Sequence, residues 1–196
     1  MLNRIPAVAA LLALASCDAA PMADYRPGEA GTVDHALCLL GFTAIPLQTV
    51  RTGHHLVAAR INKVAGQFVL DTGANVTVVE RAQADRLGID PDDDGRFGLG
   101  ASVRAPSGSQ AQLARIDSFE IGPIAIRQKR VVTADIANLL GPLGKAAGIE
   151  VAGIIGQDIL TEHRAIIDVE RPMLYLMDQD RAPAPVAADA CRRAAG

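Results

Sequence analysis

An apolar run, Phe68-Val69-Leu70, delivers Asp71-Thr72-Gly73-Ala74, and a second β-branched stretch, Val76 to Val79, follows at once. Asp and Gly suit a tight turn, so the text reads strand, turn, strand, with a carboxylate presented at the bend. A carboxylate so placed can do acid–base work when a second one shares its proton, because two like charges about 3 Å apart cannot both ionise. The motif occurs once in the chain. Its partner carboxylate is therefore expected from elsewhere, and the same residue of a second chain is the natural source.

The text around the motif is that of a mainly β chain. Leu56 to Ile61 and Gln67 to Asp71 read as a hairpin, with Asn62 to Gly66 as the connecting turn. Glu80 to Leu87 holds helix formers and stops at Gly88, the position expected of a C-terminal cap. Gly98-Leu99-Gly100 through Gln110, with Gly108 inside it, mixes Gly, Ser and one Pro between strand-like flanks, as a hairpin with a Gly-rich tip would. Gln112 to Ile121 and Ile124 to Val132 alternate around Gly122-Pro123, and Ala134 to Gly148 reads as irregular or partly helical. Ala152-Gly153-Ile154-Ile155-Gly156 precedes a short helix at Gln157 to Leu160. Ala165 to Asp168 and Met173 to Met177 then form two strands around Glu170-Arg171-Pro172.

An Asp-Thr-Gly-Ala loop followed much later by the apolar-apolar-Gly of Ile154-Ile155-Gly156 resembles the retroviral-type aspartic peptidases, the single-lobe relatives of pepsin, and most of all their exported bacterial members. The likeness runs from about Val57 to Met177. It implies a retropepsin-like closed β-barrel with one or two short helices, a homodimeric active site and a peptide or protein substrate. By the same resemblance Asp71 is the catalytic residue, Thr72 bonds across the dimer, Gly73 admits substrate and partner, and Ala74 lines the floor. Ile154, Ile155 and Gly156 complete the crossed, psi-shaped core, and the hairpin with Gly98, Gly100 and Gly108 is the flap. The implied mechanism needs no metal or cofactor. Viral members carry acidic residues just after the Ala and an Arg after the Gly. Here Asn75-Val76 and Gln157 stand in those places, leaving a neutral Asn75–Gln157 pair, or Asp158 with Arg164, to hold the loop.

The remaining residues limit the alternatives. A net charge of −3 and a pI near 5.8 give no footprint for nucleic acid, and the short Arg127-Gln128-Lys129-Arg130 cluster stands alone. His54, His55 and His163 have no carboxylate or Cys at ligand spacing and read as surface or turn residues, while Ser107 and Ser109 lack a nucleophile elbow. Asp92-Asp93-Asp94 lacks the spacing of a calcium loop.

The first 17 residues read as an export signal: Arg4, a short apolar stretch from Ile5 to Leu14, then small residues. Leu14-Ala15-Ser16-Cys17 resembles the lipobox of bacterial lipoproteins, which implies lipid on Cys17, and Asp18 after it resembles an inner-membrane retention signal. The expected location is the periplasm, anchored to the inner membrane through that lipid. With Cys17 so used, two of the three cysteines remain, and Cys38 and Cys191 are expected to pair in an oxidising compartment. The expected organisation is a signal over 1–17, a tether over 18–43, the catalytic domain over 44–180 and an Ala/Pro-rich tail over 181–196. Two functions are open to such a chain: an aspartic endopeptidase, or a lipid-anchored peptide-binding or scaffold module that keeps the fold without hydrolysis.

Overall fold

A β-hairpin with a two-residue turn carries the chain toward Asp71. In the computed structural model, residues 32–91, 111–179 and 191 are described. Helix α1 (Val33–Leu39) is capped by Thr32, whose hydroxyl accepts from the His35 N–H. Strand β1 (Phe42–Pro46) and the short β2 (Gln48–Thr49) lead into β3 (His55–Ile61) and β4 (Val64–Leu70). Asn62 and Lys63 form the turn between the last two, both with positive φ (50° and 68°), the geometry that matches the twist of paired strands. The Asn62 side chain does more than turn the chain. It donates to the carbonyls of Leu87 and Gly88 and accepts from the N–H groups of Asp117 and Ser118, so one amide stitches three loops together.

After the Asp71 loop come β5 (Val78–Glu80), a single 3-10 turn (Arg81–Gln83) and β6 (Asp90–Pro91). Then follow β7 (Gln112–Arg115), β8 (Phe119–Ile121), β9 (Ile124–Ile126) and β10 (Arg130–Ala134). Helix α2 (Ala137–Ala147), β11 (Val151–Ile155) and helix α3 (Gln157–Glu162) precede the last pair, β12 (Ile166–Asp168) and β13 (Met173–Met177).

Ten strands form one sheet in the order β6-β7-β10-β5-β11-β4-β3-β8-β9, with β2 added beside β3, and β1-β13-β12 form a second, three-stranded sheet. The centre of the larger sheet is β11, which lies parallel to β4 and antiparallel to β5. One apolar cluster holds Phe68, Phe119, Ile155 and Leu174, and a second gathers Val69, Ile154 and the α2 residues Leu140 and Leu143. Burial of these chains, about 1.5–3 kcal/mol each, is what holds the layers together.

The fold is mainly β and single-lobed, as the sequence implies, but the sheet is not a closed barrel. Its end strands β6 and β9 are two and three residues long and each has one partner among the described residues, too little to close the edges in register. Helices also exceed the expected one or two: three α-helices stand among the described residues. The stretch 18–43 contains α1, and Ala134 to Gly148 contains α2, which ends on Gly148 in the left-handed conformation. The expected helix from Glu80 to Leu87 is only a 3-10 turn followed by hydrogen-bonded turns.

Candidate active site

The strand-to-turn transition at Asp71 is held by two chain segments that cross. The Asp71 N–H donates to the Ile155 carbonyl (3.1 Å), continuing the parallel β4–β11 ladder one residue further. The loop then bends: the Ala74 N–H reaches the Asp71 carbonyl (3.3 Å), and the Gly73 N–H donates to Asp71 Oδ1 (2.8 Å). This last bond restrains the carboxylate's rotation. Thr72 and Gly73 are exposed, whereas Asp71 and Ala74 are half-buried.

From the other side, the Gln157 N–H donates to the Ala74 carbonyl (2.8 Å) and the Gln157 side chain donates to the Thr72 carbonyl (2.8 Å). Gly156 lies at the crossing, where a Cβ would fall 2.6 Å from the carbonyl carbon and oxygen of Val76. Gly153, three residues earlier in β11, is as tightly placed: its Cβ would collide with the Val78 carbonyl oxygen. Ile154 and Ile155 are buried, one into each apolar cluster. The structure thus brings Asp71, Thr72, Gly73, Ala74, Ile154, Ile155 and Gly156 into one loop crossing.

Other expected positions stand differently. Gly98, Gly100 and Gly108, with Ser107, Ser109 and Asp92 to Asp94, lie outside the described residues, as does Cys17. Cys38 and Cys191 are joined by a disulfide with Cα atoms 5.7 Å apart. Gln157 is bonded within its own chain to Thr72, and its side-chain carbonyl accepts from the Thr161 hydroxyl, rather than pairing with Asn75. Asp158 turns toward Thr77 and not toward Arg164: its carboxylate accepts from the Thr77 N–H (3.0 Å) and hydroxyl (2.8 Å). His163 is not a surface residue. It is fully buried at the end of α3, with Nδ1 bonded to the Met177 carbonyl, whereas His54 and His55 bond to Thr52 and Thr49 at the β2–β3 turn. Thr77 was invisible to sequence reasoning, since a lone Thr inside a β-branched run looks like any strand residue.

A carboxylate at a glycine-flanked loop, braced by an apolar-apolar-glycine strand in parallel pairing, is the loop arrangement of the aspartic-peptidase fold. A family model described as aspartyl protease matches residues 57–159, and the chain belongs to that family. Among solved structures it is similar to a retropepsin-like aspartic protease from Rickettsia conorii, at 20% identity over 69% of this chain and 90% of that one, with a TM-score of 0.45. The EIAV protease in complex with the inhibitor HBY-793 matches at 21% identity over 58% and 90% of the two chains, TM-score 0.37. The retroviral protease-like domain of Ddi1 from Leishmania major matches at 17% identity over 64% and 96%, TM-score 0.39. No curated protein matches the chain.

Proposed function

We propose that this chain is an aspartic endopeptidase whose active site is completed by a second copy of itself, with Asp71 as the catalytic residue of each. The observation that carries the reading is the Asp71 carboxylate, rotationally restrained by the Gly73 N–H on an exposed loop at the β4–β11 crossing. One Asp71, ionised, takes a proton from a water held between the pair. The water attacks the scissile carbonyl, and the protonated Asp71 of the other copy polarises that carbonyl and then protonates the departing amine.

Room for the second copy exists beside the loop. A groove of about 300 Å³ is lined by Thr72, Gln157, Leu160, Arg164 and Ile167, and next to it β12 has one partner strand among the described residues. An edge strand of this kind can accept a strand from a symmetric mate. We propose that association through this groove and edge is aided by concentration in the membrane plane through lipid on Cys17 at the periplasmic side of the inner membrane.

Asp71→Asn and Asp71→Ala test the reading. Both are expected to lose all cleavage of a proteome-derived peptide library while keeping the wild-type unfolding midpoint. Full activity in either variant overturns it. Binding of peptides by wild type and variant alike, with cleavage by neither, identifies a binding module instead. Sedimentation of the lipidated and unlipidated chain reports the dimer, and incorporation of labelled palmitate that disappears in Cys17→Ala reports the anchor.

A further inference from the structure

We infer that Asp158 is a positioning residue for the catalytic loop, acting through Thr77; the inference rests on the peptidase reading of Asp71. Thr77 is fully buried, and its hydroxyl has one proton to give. That proton goes to Asp158 Oδ1 at 2.8 Å, which turns the oxygen's lone pairs toward the Gly156 N–H, from which it accepts at 3.0 Å. The second carboxylate oxygen receives the Thr77 N–H at 3.0 Å and, more distantly, the Gln128 side-chain amide at 3.4 Å, while Oδ1 also takes the Ile159 N–H at 2.9 Å. Apart from the Gly156 N–H, which is aimed at the Thr77 hydroxyl oxygen, every donor points at the Asp158 carboxylate, and none of the contacts asks Asp158 to give a proton.

The consequence lies in where these bonds sit. The segment 155–157 touches the catalytic loop at three points: Ile155 carbonyl to Asp71 N–H, Gln157 N–H to Ala74 carbonyl, and Gln157 side chain to Thr72 carbonyl. Thr77 is the exit from that loop, and the Asp158–Thr77–Gly156 relay fastens the exit to the same segment. Asp158 therefore sets the register between the strand that carries Asp71 and the glycine that backs it. Remove the acceptor and the Thr77 hydroxyl is free to turn away, leaving the buried Gly156 N–H without its partner. Two carboxylates that share a proton tolerate little misplacement, so the loss falls on the chemical step rather than on substrate binding.

The experiment uses the full chain with Asp158→Ala, Asp158→Asn, Thr77→Val and the Asp158→Ala/Thr77→Val pair, assayed for peptide cleavage and for amide hydrogen exchange. In Asp158→Ala, kcat is expected to fall about tenfold or more, the kinetic equivalent of one lost buried hydrogen bond, with KM within about twofold of wild type. Thr77→Val should match it, and the double variant should be no worse than either single one, because both act through one relay. Asp158→Asn should fall between Asp158→Ala and wild type: with its carbonyl in the place of Oδ1 it still accepts the Thr77 hydroxyl and the Ile159 N–H, so the relay to Gly156 holds, while its amide faces the Thr77 N–H, which loses its acceptor. Exchange of the Thr77 and Gly156 amides should accelerate about tenfold in Asp158→Ala, while the β3 and β4 amides hold their wild-type protection.

Additive losses in the double variant, wild-type kcat in Asp158→Ala, or a uniform rise in exchange across β3 and β4 would each overturn the role. If the wild-type chain cleaves nothing and is indistinguishable from Asp71→Ala, the peptidase reading has failed. The exchange measurement then decides Asp158 by itself, selective loss at Thr77 and Gly156 supporting it and no loss overturning it.

Discussion

At Gly156 the backbone is extended (φ −104°, ψ −174°), a conformation open to any residue, so its requirement is for space and not for conformation. An added Cβ would meet the Val76 carbonyl group at 2.6 Å and the Ala74 carbonyl oxygen at 2.9 Å, and these are backbone atoms that cannot step aside. Gly156→Ala is expected to lower stability by at least about 3 kcal/mol, read as a shift in the urea midpoint. Gly141→Ala is the control: its Cβ would meet nothing within 4 Å on α2, and replacing a mid-helix glycine there should raise stability by about 0.5–1 kcal/mol. Asp71 and Gly156 are legible in the sequence because each sits in a short local motif. The pairing of Thr77 with Asp158 is not, since the two are 81 residues apart and a carboxylate in the first turn of a helix has many plausible partners, Arg164 among them.

Between β12 and β13 the chain turns on one carboxylate. Asp168 accepts from the N–H groups of Glu170 and Arg171 and from the Arg171 guanidinium at 2.6–2.7 Å. Burial acts to raise its pKa, but the Arg171 backbone and side-chain bonds, the guanidinium charge and the Glu170 N–H outweigh it, and the group titrates below its ordinary value of 3.8. A depressed carboxyl adds stability above its unfolded value and loses it as pH falls through the folded one. Asp168→Asn should therefore cost up to about 1 kcal/mol near neutrality, and the two proteins should converge in urea midpoint as the pH drops below about 4. This turn, with its Glu170-Arg171-Pro172 text, is readable from sequence. Helix α2 is not: Gly141, Pro142 and Gly144 all weaken helix propensity, and the helix exists because Leu140 and Leu143 find a core contributed by β4 and β11. The likeness to a closed barrel misleads in the same way, since closure depends on strand lengths at the edges that no single motif encodes.

Across the molecule, β1 pairs antiparallel with β13, Phe42 opposite Met177, and the Cys38–Cys191 disulfide joins α1 to the last described residue over a separation of 153 residues. A cross-link that spans so much of the chain restricts the unfolded ensemble strongly, and removing it from a domain of this size costs about 2–5 kcal/mol. Cys38→Ser, or treatment with reductant, is expected to lower the urea midpoint accordingly, with thiol titration confirming that two sulfhydryls appear on reduction.

The parallel pairing of β4 with β11 also sets an order in time. Asp71 is made early, but the segment it lies against, Val151–Ile155 with Gly156 and Gln157, is among the last parts of the domain to be synthesised. A partly made chain carries the Asp71 carboxylate without the segment that braces its loop. Domains fold as units once their distant partners are present, so the loop crossing at Asp71 is completed only when that later segment has been made. The geometry that the proposed peptidase needs at Asp71 is therefore absent until the chain has been made through Gln157.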